Sequence, residues 1–133
     1  MRTVFLDTVG LLATWDASDQ WHAAALQVYE TMLAQRLPVI TSTFVMLECG
    51  NAAARRPYRS TVARFREHME AAGRLLVPTD DDCKAAWTAY AQRTVADAGI
   101  VDHVSFTLMR RMGIEEVFSN DRHFKAAGFQ TMF

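Results

Sequence analysis

Short apolar runs rich in β-branched residues alternate along this chain with longer stretches of helical periodicity, the pattern of βαβ units wound around a parallel sheet. Thr3 to Leu6 reads as a first strand. From Asp19 to Gln35, Leu26, Tyr29, Met32 and Leu33 recur at helical spacing and predict an amphipathic helix. Pro38 to Thr41 reads as a second strand, and Ser42 and Thr43 are suited to cap a helix from Phe44 to Arg56 that Pro57 stops. A further helix is predicted over Ser60 to Ala71, closed by Gly73, then a strand at Leu75 to Val77. Thr79 opens a long helix expected to reach Val95. Val101, Val104, Ser105, Leu108 and Met112 share one helical stripe ended by Gly113, with a short strand after it at Val117 and Phe118. Asp121 to Ala126 makes a last helical turn or two, and Phe129 to Met132 a terminal strand. The class predicted is α/β with a parallel sheet, in a single domain over residues 1–133.

Composition narrows this picture. With 133 residues the chain can bury a real core without a metal or disulfide staple. A hydrophobic fraction of 50% excludes a disordered chain, and no apolar run is long enough to span a bilayer. The apolar opening is too short for a signal peptide, so a cytoplasmic location is expected, with no membrane partner. Cys49 and Cys83 have no metal-ligand spacing and are expected to be two buried, unpaired thiols.

In a sheet of this kind chemistry gathers outside the carboxyl ends of the strands. Asp7 follows the first strand, and Asp121 follows the strand at Val117 and Phe118. Glu48 sits in the early turns of the helix leaving the second strand, and Asp102 near the start of its own helix, where the helix dipole favours negative charge. Each acid taken singly is also a reasonable helix cap or solvated group. Together the four carboxylates would repel one another unless a hard divalent cation sits among them, and oxygen-only ligands suit Mg²⁺ or Mn²⁺. Such sites serve phosphoryl chemistry.

Four ordered segments, Val4-Phe5-Leu6-Asp7-Thr8, Thr43-Phe44-Val45-Met46-Leu47-Glu48, Val101-Asp102-His103-Val104-Ser105-Phe106 and Ser119-Asn120-Asp121-Arg122-His123-Phe124 with Ala127-Gly128-Phe129, resemble the PIN-domain nucleases, most of all the VapC-type toxins and their stand-alone relatives. The resemblance runs from about Thr3 to Phe129 and implies a three-layer α/β/α sandwich. It implies a metal-dependent endoribonuclease, the toxin of a type II toxin–antitoxin pair, leaving 5′-phosphate and 3′-hydroxyl ends. Asp7, Glu48, Asp102 and Asp121 match the acidic quartet that binds metal and catalyses. Thr8 and Ser119 match hydroxyl residues that orient a carboxylate, and Asn120 lies beside Asp121. A homodimer and a cognate antitoxin are further expectations of the family. Val101 departs from the Ser or Thr often found before the third acid.

Other residues carry weaker signals. Twelve of the 14 basic residues are arginines, and five fall between Cys49 and Arg66 with no acid among them. Arg55, Arg56 and Arg59 are the candidates to hold an RNA backbone, with Tyr58 and Phe65 available to stack on bases. A solvated helical hairpin and an antitoxin-facing surface remain alternatives for the same stretch. Asp80 to Asp82 reads as a capping box begun by Thr79, and Asp97 as a loop residue near the quartet. His22 and His123 are expected to pack or hydrogen-bond, and His103 to point away from Asp102. The net charge of -1 hides an asymmetry: without the quartet the 15 acids fall to 11 against 14 basic residues, a remainder of +3.

Two other classes compete. A phosphoryl-accepting receiver or phosphatase also places an Asp at a strand end, but needs a pocket Lys or a second Asp two residues on; here Val9 stands there, and the lysines are Lys84 and Lys125. A catalytically silent PIN-like module binding RNA or protein would not need all four acids.

Overall fold

The computed structural model describes residues 2–133. In chain order the elements are β1 (Val4–Leu6), α1 (Thr8–Trp15), α2 (His22–Ala34), β2 (Val39–Ser42), α3 (Thr43–Ala53), α4 (Arg59–Ala71) and β3 (Leu75–Leu76). They continue with α5 (Asp80–Ala91), α6 (Ile100–Met112), β4 (Glu116–Phe118), α7 (Arg122–Ala126) and β5 (Gln130–Thr131). The five strands form one sheet in the order β3-β2-β1-β4-β5, with every neighbouring pair parallel. β1 lies at the centre, and Val4, Phe5 and Leu6 are wholly buried.

Strand order and handedness place the helices. From β1 through β2 to β3 the chain steps one way across the sheet, and then crosses back over β1 to β4 and β5. Because crossovers between parallel strands are right-handed, this reversal puts α1 to α4 on one face and α5 to α7 on the other. The packing agrees: α1 contacts α2 and α3, α3 contacts α4, and α5 and α7 both pack on α6. The result is the three-layer α/β/α sandwich. Between β1 and β4 the winding direction changes, which opens a crevice at the carboxyl ends of those two strands.

Helix ends follow local chemistry. Ser42 Oγ accepts the Val45 N–H and starts α3, and Gly113 closes α6 at a φ of 68°. Thr79 and Asp82 form the expected capping box of α5. Asp82 is then gripped by Arg111 from α6 through two bonds of 2.9 and 3.0 Å.

Three expectations change. Residues 8–15 form α1, a helix that periodicity did not predict because the segment is apolar on nearly every side. α5 ends at Ala91 instead of Val95, since Arg93 turns into positive φ and breaks the ladder. Cys49 is buried, but Cys83 is only partly so. Among the described residues no helix is long and apolar enough to cross a membrane.

Candidate active site

Asp7 is the first residue past β1 and only 2% exposed. Its carboxylate caps α1 by accepting the Val9 N–H at 3.3 Å. Gly10 lets α1 begin this close to the sheet, because a Cβ there would overlap the carbonyl oxygen of Phe118 at the end of β4. Across the crevice, Ser119 Oγ donates to Asp7 Oδ2 at 2.9 Å and accepts the Asp121 N–H at 3.0 Å. One hydroxyl thus ties together two acids 114 positions apart in the chain.

Asp121 caps α7, accepting the His123 N–H at 2.9 Å, and its Oδ1 lies 2.7 Å from His123 Nδ1. Asp102 stands in the first turn of α6 and accepts the Gly99 N–H at 3.3 Å. With Gly99 as cap, that helix has no side-chain cap, and Asp102 itself reaches back to the cap N–H where Val101 offers no hydroxyl. Oxygen or nitrogen atoms of Asp102, Asp121 and His123 all lie within 4.8 Å of one another. Glu48, half-buried on α3, accepts from Thr8 Oγ1 at 2.6 Å.

Electrostatics binds these groups into one site. Burial, then the charge of Asp102 and to a lesser degree Asp121, pushes Asp7 up to about 7, against the opposing bonds from Ser119 and Val9. Burial and then Asp121, with Glu48 adding to them, push Asp102 up to about 6. Burial, then Asp7 and Glu48, drive the Cys49 thiol up to about 12, so this cysteine is an inert neighbour of the acids. Carboxylates held in such mutual opposition make a ready seat for a divalent cation.

The four acids therefore meet at one sheet edge, with Thr8 and Ser119 bonded to two of them. Asn120 is half-buried between Ser119 and Asp121. The arginines sit elsewhere. Arg56 is bound to Asp16 at 2.9 Å and lies 5.7 Å over the Tyr58 ring, and Arg59 donates to the Ala54 carbonyl. Phe65 packs edge-on against Trp15 at 5.3 Å and is half-buried. Asp97 forms a surface pair with Arg93. His22 bonds the Ala13 carbonyl, and His103 is buried beside Phe106. Sequence reasoning undervalued His123, which belongs to the acidic cluster. Its position two residues past a helix-capping acid was the available signal.

A parallel sheet with acids gathered at its central crevice is the layout of a nuclease, and the PIN domain model matches residues 4–130: the chain belongs to the PIN-domain family. Within that family it is of the VapC type. It is 30% identical over 128 residues to the 23S rRNA-specific endonuclease VapC20 of Mycobacterium tuberculosis, covering 95% of each chain. The crystal structure of that protein, described as a Sarcin-Ricin loop cleaving toxin, matches with a TM-score of 0.78 at 28% identity over 95% of each chain. FitAcB from Neisseria gonorrhoeae shares the fold, with a TM-score of 0.68 at 15% identity over 98% of this chain and 96% of that one.

Proposed function

We propose that this chain, a metal-dependent ribonuclease of the VapC type, cuts an exposed loop of ribosomal RNA, using Asp7, Glu48, Asp102 and Asp121 as catalytic acids and ligands for Mg²⁺ or Mn²⁺. The observation that carries this reading is the coupling of Asp7, Asp102 and Asp121 at the β1/β4 crevice, where burial and mutual repulsion raise the first two to about 7 and 6. A mostly carboxylate donor set of this kind fits a hard divalent cation. When bound, such an ion activates water toward the phosphodiester and neutralises charge on the departing oxygen.

The remaining work falls to the chain itself. Ser119 fixes the Asp7 carboxylate and the Asp121 backbone at once, and Thr8 fixes Glu48. His123 holds the Asp121 carboxylate, and the Gly99 N–H holds that of Asp102. Asn120, half-buried beside Asp121, is a further polar group that we assign to the crevice. Arg55 and Arg59 are exposed and are the arginines we assign to RNA phosphates beyond the cleaved one, while Arg56 would first have to release Asp16. The ribosomal substrate class is taken from VapC20, whose name specifies 23S rRNA. A cognate antitoxin and a homodimer complete the proposal, both resting on the VapC likeness.

The test is purified protein on total RNA with Mg²⁺ or Mn²⁺, with EDTA, and with Asp7→Asn, followed by mapping of the ends. A discrete cut in the large ribosomal RNA with 5′-phosphate and 3′-hydroxyl ends is expected, absent in EDTA and in the variant. Full activity of Asp7→Asn overturns the mechanism.

A further inference from the structure

The face that α5 and α6 turn to solvent carries two large aromatics that the core does not need. Trp87 is 54% exposed and Tyr90 44%. They lie three residues apart on α5, with ring centroids 5.3 Å apart at 80°. Tyr90 is backed edge-on by the buried His103 at 6.0 Å, and His103 in turn by Phe106 at 5.5 Å. The Tyr90 ring is therefore held by rigid core groups, so little rotamer freedom is lost when something stacks on it.

Position gives these rings a use. α5 ends, and α6 begins, at the sheet edge that bears the acids. Between those ends lies an open cleft of about 470 Å³ lined by Tyr90, Arg93, Val95, Asp97 and Gly99 among others. Gly99 is the residue whose N–H holds the Asp102 carboxylate, so the cleft adjoins the candidate active site directly. Arg93 is paired with Asp97 at 2.9 Å, but both side chains are 70% exposed. Such a pair is weak and can exchange for a phosphate.

We propose that Trp87 and Tyr90 form a stacking platform for an unpaired nucleobase of the RNA, next to the phosphate presented to the acids, with Arg93 meeting the adjoining backbone. The proposal rests on the ribonuclease reading and adds to it a subsite, where a base splayed out of a helix would be held. Aromatic faces bind any base without reading its identity, and exposed loops are where bases are free to be bound this way. A protein partner would also favour exposed aromatics. RNA is preferred because Tyr90 itself lines the cleft that reaches Gly99, the residue whose N–H holds Asp102.

The test uses the full chain carrying Asp7→Asn, to prevent cleavage, and Trp21→Phe, to remove the other exposed tryptophan. Titration with a short oligoadenosine in Mg²⁺ should quench tryptophan fluorescence. Tyr90→Leu should weaken binding about 10-fold, and Tyr90→Phe, which keeps the ring face, should restore it. In the cleaving chain, Tyr90→Leu should raise KM for a loop-bearing RNA by a similar factor. Unchanged affinity in Tyr90→Leu overturns the platform. So does a Trp87→Leu/Tyr90→Leu chain that falls from dimer to monomer with unchanged RNA affinity per protomer, which would assign the patch to a second copy. A parent chain that cleaves no RNA defeats the ribonuclease reading instead, while oligoadenosine quenching still reports on the platform.

Discussion

Asp7 carries a charge where burial and two neighbouring acids oppose it, and that conflict is measurable. Its carboxyl rises from 3.8 to about 7 on folding. An acid whose pKa is higher in the folded state keeps its proton there after the unfolded chain has released it. Its contribution is thus fully present below about pH 4 and lost as pH rises to about 7. The full difference corresponds to on the order of 4 kcal/mol. In EDTA, the melting temperature should therefore carry a component that falls between about pH 4 and pH 7. Asp7→Asn, which keeps an acceptor for Val9 and Ser119, should remove that component and melt roughly 5–10 °C above the parent at pH 7.5. A variant that melts below the parent there contradicts the electrostatic account. At this scale the sequence was informative, since an acid ending the most apolar strand is conspicuous. The resemblance marked Ser119 as a hydroxyl that orients a carboxylate, but which carboxylate was not readable, because Ser119 and Asp7 are joined across 112 positions.

At the scale of elements, strands and longer helices were legible from period and caps. The short ones depended on backbone chemistry that no side-chain period announces. α1 is the clearest case: its eight residues are apolar nearly all round, and its entry angle depends on Gly10 lying against Phe118. Gly10→Ala should gain up to about 1 kcal/mol of helix propensity. The clash with a backbone carbonyl outweighs this, so a net loss of about 1–3 kcal/mol is expected by denaturant unfolding, with the Asp7 cap displaced. At the opposite ends of the α5–α6 pair, Asp82 accepts both Arg111 and the Thr79 N–H. Asp82→Ala removes the carboxylate half of the capping box and the ion pair together, leaving the bond from the residue's N–H to Thr79 Oγ1. A loss of about 1–2 kcal/mol is expected, with RNA cleavage per folded molecule unchanged because this end of the pair is remote from the acids.

For the whole molecule, the strand list predicts a parallel sheet but not its order. The order comes from right-handed crossovers, and their reversal at β1 and β4 creates the crevice. The four acids were legible as one cluster because every strand of a parallel sheet ends at the same edge. The net charge of -1 was misleading until those acids were counted apart. A cation that relieves them binds only the folded state, so Mn²⁺ at about 100 times its Kd should add about 2.7 kcal/mol of stability. Loss of that gain in Asp7→Asn would tie it to this site, and an equal gain in the variant would place the ion elsewhere. The tie between Asp7 and Ser119 also sets a schedule during synthesis. The ribosome makes Asp7 112 positions before Ser119, so a nascent chain has no complete acidic cluster until the segment from β4 to α7 has been made. For a ribonuclease, chain order then works as a safety catch, released only once the segment carrying β4 and α7 has left the ribosome.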